Sequence, residues 1–399
     1  MNIEEYIKNN LPLPGRFYMP GHKGALSPLD VTETFGTDDL RNPKSILKEA
    51  QKKVADICGA ENSFFLVGGS TLGIQAMITA CVLQAASLRG EQGVPESACT
   101  FGEEEQLRSV ATLIAPKGAI VAAEQIVTRD VATNCFPNLQ NFEELKNAIH
   151  NKKRKIIVDE YHHISLRNVA ILLNLDIVIL PREKLDHWNI DKKLEINEKV
   201  IKENQDAIGV FITSPTYYGI TSDIPNISNL CHKYSLPLLV DEAHGAHFGF
   251  HENLPQSAIT QGADLCVQSV HKTLPSLTQT AVLHQSKNSI INSEKIQTAL
   301  NLFQTTSPSY LFMISIENSI DFAYHNKDKF AWLINKCQDF RKSHNCLVNE
   351  DITRLVFKSN IEELKSKGIW AEKSDKYNNI ILIPSICNTA EDFSLLEKI

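Results

Sequence analysis

An α/β fold around a mostly parallel sheet is the class this sequence predicts, on three observations. Seven short runs are rich in β-branched and aromatic residues and end in small or polar ones. Helix-like segments follow or separate them, the spacing of strands that are covered on both faces of a sheet. The polar motifs fall just after the runs, at the C-terminal strand ends where such sheets bind ligands.

In chain order the runs are Phe64–Val67, Lys155–Val158, Leu175–Leu180, Ala207–Thr213, Leu236–Val240, Leu265–Gln268 and Thr280–His284. A helix is expected over Thr71–Ala86. About seventy residues separate that helix from the run at Lys155, far more than an ordinary connection. This stretch, Gly90–Asn151, has normal apolar content and reads as an inserted subdomain rather than disorder. Glu103–Ile114 and Phe142–His150 are expected helices within it, and Gly118–Ala123 an expected strand. After about Ser286 the pattern turns to helices and then to a small α+β tail with strands at Thr353–Phe357 and Asn379–Ile383. The expected organisation is an arm over residues 1–55 and a large domain over 56–285, interrupted at about 87–152. A small, shortened C-terminal domain over 286–399 completes it.

Composition narrows the function by exclusion. Hydrophobic residues at 43% and charged residues at 22% are ordinary for a soluble globular protein. A net charge of −7 and a pI near 6.0 offer no basic field to a nucleic acid. No apolar run approaches the roughly 20 residues of a membrane span, and Met1-Asn2-Ile3-Glu4-Glu5 is too acidic for a secretory leader. Nine cysteines, scattered singly from Cys58 to Cys387 without a CxxC pair, fit reduced thiols in a cytoplasm.

Four motifs carry chemistry. Ser269-Val270-His271-Lys272-Thr273 follows the run Leu265–Gln268. It sets a lysine among donors that could hold a phosphate, although a lysine at a loop start is by itself an ordinary surface residue. Leu236–Val240 leads into Asp241-Glu242-Ala243-His244-Gly245, placing Asp241 at the end of a buried strand. A pyridoxal phosphate site pairs such an acid with the ring nitrogen, because a protonated ring is the electron sink of carbanion chemistry. A strand-end aspartate capping a turn is the plainer reading. Phe64–Val67 runs into Gly68-Gly69-Ser70-Thr71, a glycine turn and hydroxyls at a helix start, which is an anion site or simply a capped turn. Lys155–Val158 ends in Asp159-Glu160-Tyr161-His162-His163-Ile164-Ser165, where one of two adjacent imidazoles could cover a cofactor ring.

With these motifs in place, the chain resembles the ornithine, lysine and arginine decarboxylases of the fold-type-I pyridoxal phosphate class, especially their smaller bacterial arginine-decarboxylase-like members. The resemblance runs through Pro20-Gly21-His22-Lys23-Gly24, Thr37-Asp38-Asp39-Leu40, Glu49-Ala50-Gln51 and Phe64–Met77. It resumes at Lys155 and continues through Thr213-Ser214-Pro215-Thr216-Tyr217-Tyr218-Gly219, Asp241–Gly249, Ser269–Gln279 and Gln304–Tyr310. It implies a fold-type-I large domain with a small α+β domain, and pyridoxal 5′-phosphate held as a Schiff base on Lys272. Asp241 would pair with the ring nitrogen. Ser70, Thr71, Ser269 and His271 would contact the phosphate. His163, rather than His162, would stack on the ring, with Ala243 and His244 beneath and beside it. Thr305–Ser309 would approach a neighbouring subunit's phosphate, implying a homodimer with shared sites.

The implied reaction is decarboxylation of a basic amino acid to a polyamine or its precursor, with Lys272 or His163 returning a proton. Transamination, lyase chemistry and a catalytically impaired homologue are the alternatives. The sequence departs from the family at Gly68, where an Asn is usual, and at Tyr161, His162 and Ile164 around the histidine. For the substrate carboxylate, Arg354 and Arg341 are candidates and neither is assigned, since Arg354 sits in a strand-like run where it could simply face solvent.

Overall fold

The computed structural model describes residues 1–11, 15–34, 36–88 and 153–399. The chain divides into two compact units, residues 1–81 with 154–399, and residues 82–153. The expected elements Glu103–Ile114, Gly118–Ala123 and Phe142–His150 lie outside the described residues.

The first unit is centred on a seven-stranded sheet. The strands are β1 (Asn62–Leu66), β2 (Arg154–Asp159), β3 (Leu175–Leu180), β6 (Val210–Thr213), β7 (Leu238–Asp241), β8 (Leu265–Gln268) and β9 (Ala281–Gln285). A two-stranded ladder of β4 (Lys184–Leu185) and β5 (Ile190–Asp191) stands apart. The order in the large sheet is β1-β9-β8-β7-β6-β2-β3. Pairs β8–β7, β7–β6, β6–β2 and β2–β3 are parallel, while β9 runs antiparallel to both neighbours. All seven expected runs therefore enter one mostly parallel sheet. Every residue of β6, β7 and β8 is buried, as strands covered on both faces must be.

The N-terminal segment is tied to this core. Helix α1 (Ile3–Asn10) is closed by a capping box between Asn2 and Glu5. Helix α2 (Ile46–Cys58) turns Ile46, Leu47, Ala50 and Val54 inward. Its N-cap Ser45 makes no side-chain bond. The Asp38 carboxylate instead accepts from the backbone N–H groups of Lys44, Ser45 and Leu47 at 2.8–3.1 Å. Helix α3 (Gly69–Leu88) leaves β1 through a tight turn, with Gly69 at φ +75°. A Cβ at Gly68 would lie 2.7 Å from Leu72 Cδ1, so a larger residue there requires that side chain to shift.

Helix α3 corrects one expectation. At 20 residues it is long and apolar enough to cross a membrane by length and composition, although no such run was expected from the sequence. Two-thirds of it is buried, and it follows directly on a core strand, the position of an interior helix.

Past β9 the chain forms helices Ser293–Phe303, Tyr310–His325 and Lys327–Ser343. A three-stranded antiparallel sheet follows, with order β10 (Leu355–Lys358), β12 (Asn379–Leu382), β11 (Lys373–Ser374). The turn before β10 docks on the loop after β6. Asp351 N–H donates to Gly219 O at 3.1 Å and Asn349 Nδ2 to Tyr218 O at 2.7 Å. Gly219 sits at φ +81°, and a Cβ there would stand 2.7 Å from Arg354 Cβ, so this junction requires glycine.

Candidate active site

Strand register brings the motifs together. Thr213 of β6 pairs with Asp241 of β7, and Asp241 pairs with Val267 of β8. The residues following β2, β6, β7 and β8 thus gather along one C-terminal edge. After β8, a single turn (Val270–Thr273) carries Lys272 back toward β7, with the Lys272 N–H on Ser269 O at 3.1 Å. Lys272 Nζ comes to 3.2 Å from His244 Nε2.

Charges around this contact oppose burial. Burial lowers the Lys272 ammonium's pKa, and the Asp241 carboxylate pulls it back up. Burial raises the Asp241 carboxyl, while the Ala243 N–H at 3.0 Å and the charges of Lys272 and His163 lower it. The His244 imidazole is driven well below its usual range by burial and then by Arg354 and Lys272. A neutral imidazole beside an ammonium accepts its hydrogen bond. Burial also lowers His271, which is half-buried one residue before the lysine.

The two adjacent histidines separate. His162 Nδ1 lies 2.7 Å from Asp159 O, and its Nε2 accepts from Arg167 Nε at 2.8 Å. His163 is exposed and caps helix α4 (Ile164–Leu172), with Nδ1 accepting from Ser165 N–H at 3.2 Å and lying 2.7 Å from Ser165 Oγ. Ser165 Oγ donates to Thr71 Oγ1 at 3.1 Å, joining this turn to the start of α3. Ser70 is half-buried in the same first turn, beside the exposed Thr71.

Arg182, which carries no motif in the sequence, and neighbours of the motif residues complete the site. Asp159 and Arg182 form a fully buried bidentate pair at 2.8 and 2.6 Å, and Asp159 also accepts from Thr213 N–H at 3.1 Å. Tyr161, the replacement beside the histidines, accepts from Tyr217 N–H at 3.2 Å. Arg354 does not face solvent. Only 1% of it is exposed, its Nη2 lies 3.5 Å from His244 O, and its Nε and Nη1 have no hydrogen-bond partner. The burial follows from docking against Gly219, which a strand-like run in isolation cannot show. Asp351 holds it from behind, Oδ2 3.9 Å from Arg354 Nε, and is itself anchored by His247 and Thr353. Arg341 is spent on backbone carbonyls of Leu347, Ile352 and Arg354 and on Asn349.

The donor set fits pyridoxal phosphate. Ser269 Oγ, Thr273 Oγ1 and His244 Nδ1 are buried without partners, and a buried polar atom left unsatisfied costs about 1–3 kcal/mol. An anion at the first two would satisfy them. Asp241, buried with only one backbone donor, suits a cationic ring nitrogen.

Comparison with known proteins identifies the family. The sequence pattern of the Orn/Lys/Arg decarboxylase major domain matches residues 107–380. The chain is 29% identical over 350 residues to the uncharacterized protein YaaO of Bacillus subtilis, covering 84% of this chain and 59% of that one. It is 28% identical over 442 residues to the arginine decarboxylase of Halalkalibacterium halodurans, covering 99% and 74%. It thus spans less than two-thirds of YaaO's length. Among solved structures, lysine decarboxylase A of Pseudomonas aeruginosa superposes with a TM-score of 0.68 at 14% identity, over 99% of this chain and 58% of its own. That likeness shows the fold. The lysine after β8, the acid ending β7 and the match over residues 107–380 together establish that the chain belongs to the Orn/Lys/Arg decarboxylase family.

Proposed function

We propose that this chain holds pyridoxal 5′-phosphate on Lys272 and removes the α-carboxylate of a basic amino acid as carbon dioxide. The observation that carries this reading is the Lys272 Nζ–His244 Nε2 contact of 3.2 Å, beside the buried Asp241 carboxylate. When bound, the cofactor's protonated ring serves as the sink for the electron pair that departing carbon dioxide leaves behind.

The chain's own residues have distinct tasks in this reading. Burial of Lys272 favours the neutral amine, which is the nucleophile that captures an aldehyde. Asp241 stabilises positive charge at the ring nitrogen. Ser269 Oγ and the first turn of α3 hold the phosphate. His163 covers the ring face and excludes water. Arg354, whose Nη1 has no hydrogen-bond partner among the described residues, orients the substrate carboxylate. Lys272, once it has taken a proton from the incoming substrate ammonium, or His163 would return a proton to Cα. Thr305, Thr306 and Ser307 are exposed ahead of the helix Tyr310–His325, which supports a homodimer in which this segment meets the second copy's site.

The test supplies cofactor to the purified chain and measures carbon dioxide from arginine, lysine and ornithine. Release from at least one, abolished by Lys272→Ala, is the expected result. A wild-type chain that takes up the cofactor and releases no gas from any of the three overturns the reading.

A further inference from the structure

We infer that Glu372 is the residue that selects a cationic side chain in the substrate, by pairing with its distal ammonium or guanidinium. The inference deepens the proposed function and rests on its view that the substrate enters at Lys272. A continuous line of contacts leads outward from the reacting amine. Lys272 Nζ meets His244 Nε2 at 3.2 Å. The His244 ring lies edge-on to Tyr217, with centroids 5.0 Å apart at 88°. The Tyr217 hydroxyl donates to Glu372 Oε1 at 2.9 Å.

The other carboxylates near this line already have assigned partners. Asp241 belongs to the ring nitrogen in the proposed reading, and Asp351 is enclosed by His247, Thr353 and Arg354. Glu372 is exposed, and among the described residues it has no ion-pair partner, only the neutral phenol. Tyr217 fixes one oxygen and leaves the other open. Lys272 and Arg354, both lowered chiefly by burial, each feel the Glu372 charge in opposition, so the carboxylate acts on the site's interior.

The consequence is a division of labour along the substrate. Arg354, whose Nη2 lies 3.5 Å from His244 O, takes the carboxylate end, and Glu372, at the Tyr217 hydroxyl, takes the far end. A charge pair of this kind discriminates against a neutral side chain of equal length, because a methyl group returns nothing for the water it displaces from the carboxylate.

Cadaverine and hexylamine separate this inference from the reaction itself, because neither carries a carboxylate to lose. Their dissociation constants are read from the change in visible absorption of the cofactor-loaded full chain. The wild type is expected to bind cadaverine at least about tenfold more tightly than hexylamine. Glu372→Gln, an isosteric change at an exposed position, brings the ratio to about one, and Tyr217→Phe reduces it by a smaller factor. A wild-type ratio near one, or a ratio that Glu372→Gln leaves intact, overturns the assignment. Carbon dioxide release is scored separately. An intact ratio without gas from any basic amino acid sinks the decarboxylase reading and leaves Glu372 as the cation reader.

Discussion

Two strand ends in this chain are written almost alike and end up doing opposite work. Ile157-Val158-Asp159-Glu160-Tyr161-His162 closes β2, and Leu239-Val240-Asp241-Glu242-Ala243-His244 closes β7. Asp159 is saturated by the two Arg182 contacts and the backbone N–H groups of Tyr161 and Thr213. Asp241, also buried, accepts only the Ala243 N–H among the described residues, and Lys272 reaches it as a charge without bonding. Glu160 accepts from Arg182 N–H at the surface, while Glu242 is enclosed by Ser257, Ala258 and Gln268. His162 is held by Arg167, and His244 by Lys272. One strand end is a structural lock, and the other leaves its carboxylate with one hydrogen-bond donor among the described residues, as the proposed function requires. What separates them is whether an arginine from beyond a neighbouring strand arrives.

The lock is broken most severely at its acid. Asp159→Ala leaves the Arg182 guanidinium buried and unpaired, which costs about 3–5 kcal/mol. Urea denaturation of the variant should show that loss with an unchanged slope. A loss under about 1 kcal/mol would mean that the pair is not the bolt joining β2, β3 and β6.

The same substitution logic gives the reverse outcome on β7. Asp241→Asn keeps shape and removes a carboxylate that burial already disfavours, so the unloaded chain should be no less stable. Its cost falls on turnover, about 10²–10³-fold in carbon dioxide release from the cofactor-loaded chain. A variant that loses stability and keeps its rate would make Asp241 a second lock.

The glutamates sharpen the contrast through pH. Burial raises the Glu242 pKa from 4.5 to about 6 against its hydrogen bonds. The folded chain therefore binds that proton more tightly than the unfolded one. Stability from this group is fully present below the unfolded pKa, falls as pH rises from about 4.5 to about 6, and is level above. The span is about 2 kcal/mol. Glu242→Gln should flatten that part of the urea midpoint against pH, and an identical curve for both proteins would contradict the burial argument.

These outcomes track what the sequence can and cannot show. The strand-end positions of Lys272, Asp241 and His163 are legible because each lies at or after an apolar run, and period and burial fix where a strand ends. The fate of Asp159 is not legible. Arg182 lies 23 positions away, and only the pairing of β2 with β3 brings it near. Arg354 offered one local signal, a charge in an apolar run, which marks either a solvent-facing edge or a buried function. The docking of Asp351 on Gly219 decides between them, and it is a tertiary event. Glu372 carried no signal of its own, because its meaning depends on Tyr217, 155 positions earlier. The small sheet's contribution to the site was therefore hidden where the large sheet's was readable.

The smallest effect tests the finest distinction, that between adjacent histidines. His162 has both ring nitrogens engaged on the β2 side, with Asp159 O and Arg167, and water can replace those bonds at a half-buried position. His162→Ala should cost under about 1 kcal/mol and leave cofactor affinity unchanged. His163 is exposed and caps helix α4 through Nδ1, and in the proposed reading its loss should weaken cofactor binding by several-fold, the worth of one ring–ring contact. The two changes remove the same ring from neighbouring positions, so composition and local propensity cancel between them. If His162→Ala is the variant that loses cofactor, the turn after β2 presents the other imidazole to the site, and the likeness between the two strand ends extends further than their hydrogen bonds indicate.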